Sequence, residues 1–166
     1  MQDTARDTKK RGKTPKINKS FLRLRMGGVL LLTALMDQAA KLAAARALSP
    51  GESIPVIRNV FHITLVHNTG AVFGLFRGMN FLLVLSSALF LVLLFYYYSQ
   101  LEKSNPGFQI PAGLIAGGAA GNLIDRLLFG YVIDFLDFRV WPVFNIADAA
   151  ITAGVGLFIW KMWRKR

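Results

Sequence analysis

The chain has 166 residues, 54% of them hydrophobic, and a formal charge of +11. It has no cysteine and only two histidines, which excludes disulfides, thiol catalysis and thiolate metal sites and leaves carboxylates as the candidate chemical groups. Much of the positive charge sits at the two ends, flanking long apolar runs, so the composition points to a membrane protein and not to a nucleic-acid binder.

Residues 1–25 carry nine Lys or Arg against Asp3 and Asp7 and few apolar side chains, the pattern of a disordered basic arm. Residues 26–45, MGGVLLLTALMDQAAKLAAA, form a first span, about 30 Å long as a helix. A basic region, an apolar core and Ala45-Arg46-Ala47 also match a cleaved signal peptide. Against that reading, Asp37 and Lys41 follow the apolar core as a favourable i,i+4 pair.

Residues 49–78 change character, with β-branched residues bounded by Pro and Gly, and are too polar to span. As one extended stretch they place Ile57, Asn59, Phe61, Ile63 and Leu65 on one face and Val56, Arg58, Val60, His62, Thr64 and Val66 on the other, a small extramembrane β element. HNTGAVFG follows as a Gly-bounded turn, its His67 expected to be solvated or interfacial. His62 and His67 are not at a helical metal-ligand spacing, so no metal site is expected.

Residues 81–98 form a second span, free of charge and ending in Tyr96, Tyr97 and Tyr98, as expected at a membrane interface. Residues 100–107 form a turn-rich loop carrying Lys103. The third span, 110–128, has Gly113, Gly117 and Gly121 at i, i+4 and i+8, the small-residue stripe of an interior membrane helix. Gly118, Asn122 and Asp125 share one of its faces, with Arg126 adjoining. The fourth span, 146–163, is capped by Asn145 and followed by a basic tail, 164–166.

The expected fold is therefore mainly α and polytopic: a single membrane domain, 26–163, of four transmembrane helices with a small extracytoplasmic β element and a short amphipathic segment. Four spans put both termini on one side, and the positive-inside rule makes that side the cytoplasm. Segment 49–78, the 129–144 loop and the aspartate-bearing helix ends then meet at the outer face, which gathers Asp37, Asp125, Asp134, Asp137 and Asp148.

Each aspartate has an inert reading. Asp37 can be neutralised by Lys41 and Asp125 by Arg126; Asp137 can be solvated in the outer loop, and Asp148 can favour a helix N-terminus. Asp134 sits between Ile133 and Phe135 with no adjacent cation and resists such a reading. The chemical reading is a carboxylate pair sharing one proton over a water, which hydrolyses peptides without metal, Ser or Cys. Spacing alone does not choose the pair among Asp125, Asp134, Asp137 and Asp148. Two readings compete: a small transporter or ion-conducting bundle with the acidic cluster as its cation or proton site, and a membrane assembly protein whose Gly stripe serves a partner helix and whose charges are structural.

MDQAAK (36–41), HNTGAVFG (67–74), GGAAGNLIDR (117–126), VIDFLDF (132–138) and FNIADAAI (144–151) resemble, in order, the successive motifs of lipoprotein signal peptidase, also called signal peptidase II. That resemblance implies a bacterial inner-membrane aspartyl protease that cuts prolipoproteins just before a diacylglyceryl-modified Cys. It implies Asp134 and Asp148 as the catalytic pair, with Asn68, Gly118, Asn122, Asp125, Arg126, Asn145 and Ala147 lining or supporting the site. Asp37 with Lys41 would stabilise the fold around it. No cofactor or metal is implied; the expected partners are diacylglyceryl-modified prolipoproteins and membrane lipids, the expected state a monomer. The small residue usual in the family's NxGA(A/S)F motif is here Val72, a departure expected to change packing beside the pocket.

Overall fold

The computed structural model describes residues 19–70, 78–104 and 107–164. Most of the basic arm (1–18), Val72 and the last two residues of the tail lie outside the described residues.

Four helices form the body. Helix α1 spans Lys19–Ala47, α2 Asn80–Ser104, α3 Gln109–Phe129 and α4 Ile146–Trp163. Three of them, α1, α2 and α4, are long and apolar enough to cross a membrane. The bounds of α4 are those expected, because Asn145 fixes the start of the helix through its cap. Helix α1 starts seven residues earlier than the span expected at 26, inside the stretch read as a disordered arm. Leu22 lies one turn before Met26, and both are buried, so the apolar stripe extends the helix into the basic region. Helix α2 likewise runs through the expected loop at 100–104 and carries Lys103 within it. Nothing in the sequence between Gln100 and Ser104 opposes a helix, since the stretch holds no Gly or Pro.

Helix α3 is the innermost, packing on α1, α2 and α4. The expected small-residue stripe is what permits this. A Cβ at Gly117 would lie 2.6 Å from the Leu30 carbonyl oxygen of α1, and one at Gly118 would collide with the Ala147 carbonyl of α4. The helix ends at Gly130, whose φ of 81° lets its N–H close on the Arg126 carbonyl.

A three-stranded antiparallel sheet, ordered β1 (Ser53–Ile57), β2 (Phe61–Asn68), β3 (Val132–Asp137), sits at the C-terminal ends of α1 and α3. Two expectations are corrected here. Within segment 49–78, residues 53–68 form a hairpin and not one extended strand, because residues 58–60 turn and Asn59 adopts a φ of 61°, which an Asn tolerates. The 129–144 segment, expected as a loop, supplies β3. Its residues are buried on both faces, so it lacks the period-two alternation that marks a half-exposed strand. A cluster of Ala44, Leu48, Leu65, Ile133 and Phe135 fastens the sheet to α1. A second, of Met26, Tyr98, Ala112 and Ala116, joins α1, α2 and α3 at their opposite ends.

Candidate active site

Two buried polar centres lie where the sheet meets α1, α3 and α4. The first is organised by Lys41, 1% exposed, between Asp37 and Asp125, both at 0%. Its Nζ lies 2.7 Å from Asp37 Oδ2 and 2.9 Å from Asp125 Oδ2 and donates to Asn122 Oδ1 at 2.9 Å, so all three ammonium protons are used. The two carboxylates in turn accept backbone protons from distant elements. Asp37 Oδ1 takes the Ala147 N–H at 2.8 Å, and Asp125 Oδ2 takes the Ile133 N–H at 2.9 Å. Gln38, which sequence reasoning did not single out, donates to Asp125 Oδ1 at 2.8 Å and to the Gly121 carbonyl at 3.1 Å. Its place in MDQAAK, directly after Asp37, was the available signal.

The second centre holds Asp134 and Asp148. Asp134, from β3, is 2% exposed; its Oδ1 accepts from Asn145 Nδ2 at 2.7 Å and its Oδ2 from Asn68 Nδ2 at 2.9 Å. The register of the sheet explains the second bond: Asp134 faces Val66 and Asn68 faces Val132, so the two polar side chains share a face. Burial pushes the Asp134 carboxyl up to about 7, the neighbouring Asp148 adding to the rise and Asn68, Lys41 and Asn145 opposing it. Asp148 stands at the third position of α4 in a capping box with Asn145: its N–H donates to Asn145 Oδ1 at 2.9 Å, and its Oδ2 accepts the Asn145 N–H at 3.4 Å. Asn122 Nδ2 donates to Asp148 Oδ1 at 2.8 Å. Asn145 therefore touches both carboxylates, and its Nδ2 also reaches Asn122 Oδ1 at 3.0 Å.

Asp134 and Asp148 both line a cleft of about 1050 Å³, together with Asn68, Asn122 and Arg126. Much of its remaining wall is apolar, from Val132, Phe138, Phe144 and Ile151 among others. Gly118 and Ala147 do not line it; they set the close contact of α3 and α4 beneath it.

Two of the inert readings are corrected. Asp125 is paired with Lys41, 84 positions away, and not with its neighbour Arg126, which borders the cleft instead. Asp137 is buried and not solvated, held by Thr64 Oγ1 at 2.8 Å and by Arg139 through its N–H at 2.8 Å and its Nη1 at 3.0 Å, outside the cleft lining. The inert readings of Asp37 with Lys41 and of Asp148 as a helix cap both match the geometry. His67 is exposed and stacks on Tyr131, their ring centroids 4.1 Å apart. Among the described residues, no three His, Asp or Glu side chains are grouped to hold a metal.

Residues 29–164 match a protein-family model described as signal peptidase (SPase) II. The lipoprotein signal peptidase of Halothermothrix orenii is 44% identical over 137 residues, 82% of this chain and 94% of that protein. That of Moorella thermoacetica is 45% identical over 132 residues, 80% and 88% of the two chains. A solved structure described as "Bacterial membrane enzyme structure by the in meso method at 2.3 A resolution" superposes with a TM-score of 0.76 at 30% identity, covering 87% of this chain and 88% of that one. A second, described in the same words at 1.9 A resolution, gives 0.73 at 30% identity, covering 86% and 92%.

Proposed function

Because this chain belongs to the signal peptidase II family and acts as an aspartic protease of prolipoproteins, we propose that Asp134 and Asp148 are its catalytic pair. The observation that carries this assignment is that these two carboxylates line one cleft and both accept from Asn145, Asp134 from its side-chain amide and Asp148 from its backbone N–H. Asp125 and Asp137, the other candidates, have their oxygens committed to Lys41, Gln38 and Ile133 or to Thr64 and Arg139.

Two carboxyls facing one site do not both ionise readily, so one keeps a proton. Asp134, raised to about 7, is the proton holder, and Asp148 is the base. Asp148 takes a proton from a water between them as its oxygen attacks the scissile carbonyl carbon, while Asp134 gives its proton to the carbonyl oxygen. Collapse of the tetrahedral species breaks the C–N bond. The leaving nitrogen, on the diacylglyceryl-modified Cys, takes the proton held by Asp148, and the carboxyl formed on the released signal peptide returns one to Asp134. Asn68 and Asn145 hold Asp134 in place, and Arg126 at the cleft supplies positive potential beside the polarised carbonyl.

The same reading makes all four helices transmembrane in a bacterial inner membrane, with both termini cytoplasmic and the cleft near the outer face. The two spatial ends of the bundle support it. The sheet and both aspartates lie at one end, and Arg23, Arg25, Lys161 and Arg164 lie toward the other. The apolar cleft wall suits a substrate that arrives from lipid as a signal helix with two acyl chains, and the monomer already contains every residue of the pair.

The test is a gel-shift cleavage assay on purified protein in detergent, using a diacylglyceryl-modified prolipoprotein and the same protein without lipid. Cleavage of the lipidated form alone, absent in Asp134→Asn and in Asp148→Asn, is the expected result. Near-normal cleavage by either variant overturns the assignment.

A further inference from the structure

The ammonium of Lys41 touches neither Asp134 nor Asp148, yet connects to both. It can only donate, so the atom of Asn122 that meets it at 2.9 Å has to be the amide oxygen. That oxygen also accepts from Asn145 Nδ2 at 3.0 Å, which fills both of its lone pairs. The amide nitrogen of Asn122 is thereby turned toward Asp148 Oδ1, where it donates at 2.8 Å. An asparagine amide is nearly symmetric in shape, and its orientation is decided by its hydrogen-bond partners. A flip would set the carbonyl oxygen against a carboxylate oxygen and an NH2 group against the ammonium.

We propose that Lys41 is a positioning residue of the hydrolytic step, its ammonium fixing the Asn122 amide so that an N–H and not a carbonyl faces Asp148. A second route reinforces the first. The two carboxylates on Lys41 hold the backbone N–H immediately before each member of the pair, Ala147 before Asp148 and Ile133 before Asp134. One buried atom on α1 thus sets the polarity of the amide network and the placement of both elements carrying the aspartates. This inference rests on Asp134 and Asp148 being the catalytic pair, and it goes beyond a stabilising role for Lys41. The charged groups around this point are Asp37 on α1, Asp125 and Arg126 on α3, Asp134 on β3 and Asp148 on α4.

The experiment compares wild type with Lys41→Met/Asp125→Asn, which removes the cation and one of its two carboxylates and so keeps the net charge of the centre. Melting temperature in detergent reports the fold; kcat and KM for lipidated prolipoprotein report the reaction. The expected result is a folded variant with KM within about threefold of wild type and kcat lower by about a hundredfold, the scale of a misplaced catalytic group. A kcat close to that of wild type in a folded double variant overturns the proposal and leaves Lys41 a structural counter-ion.

Should the double variant fail to fold, Asn122→Asp decides the matter, since it keeps an acceptor for Lys41 and replaces the donor to Asp148 by an oxygen. Its kcat is expected to fall at neutral pH and to recover as pH is lowered and the new carboxyl gains a proton to donate. Unchanged kcat at neutral pH, or a loss that is the same at every pH, overturns the proposal. Activity in Asp134→Asn or Asp148→Asn would instead refute the underlying pair, whatever Lys41 does.

Discussion

Asp37 and Asp125 on one side, Asp134 and Asp148 on the other, are the same side chain placed within one buried network, and they are held in opposite ways. The first two share the ammonium of Lys41 at 2.7 and 2.9 Å and accept backbone protons besides, so their charge is countered at hydrogen-bond distance. The second two are met by neutral donors, the amides of Asn68, Asn122 and Asn145 and a backbone N–H. Amides orient a carboxylate without cancelling its charge. Among the described residues, the aspartates with a buried cation are held as struts, whereas the pair proposed as catalytic meets amides beside open space.

That contrast is broken most sharply by neutralising each class in turn. Asp134→Asn or Asp148→Asn is expected to lower kcat by about 10³-fold or more, on the scale of general acid–base catalysis, with no loss of melting temperature. If both variants melted far below wild type, the pair would be structural after all. Asp125→Asn is expected to do the reverse in kind, destabilising the fold by about 3 kcal/mol because it strips one partner from a buried cation, measured by thermal melting in detergent. A neutral effect on melting would show that Asp37 alone suffices for Lys41.

Acidity sharpens the comparison further. The Asp134 carboxyl is raised to about 7 from an ordinary 3.8, so between these values the folded protein holds a proton that the unfolded chain has lost. Stability from this group is full below pH 4, falls as pH rises toward 7, and is level above it. Asp134→Asn is expected to remove that slope from a plot of melting temperature against pH, and a slope that survived would assign it elsewhere. In the wild type, kcat/KM is expected to fall as pH rises through about 7 and the shared proton is lost. The smallest effect belongs to Asp137, in the same strand but outside the cleft lining. With a half-exposed Arg139 as its ionic partner, Asp137→Asn is expected to cost about 1 kcal/mol and to change cleavage less than about threefold.

Much of this was legible in the chain. Local patterns located all four helices, since apolar length, the Gly113, Gly117, Gly121 stripe and the Asn145 cap each act within one helix or its immediate ends. The Asp37–Lys41 pair was legible for the same reason, being one turn of helix. Motif order pointed to Asp134 and Asp148, but spacing did not, because it left the pair open among Asp125, Asp134, Asp137 and Asp148.

Tertiary structure decided what depends on groups far apart in the chain. It paired Lys41 with Asp125 across 84 positions and Asp37 with the Ala147 N–H across 110, and it made β3 a strand by giving it β2 as a partner. Hydrogen bonds and ion pairs act over about 3 Å of space whatever the sequence separation, so the chain by itself determined which carboxylates were available. Which of them met a cation and which faced the cleft was settled only when the sheet, α1, α3 and α4 closed on one another.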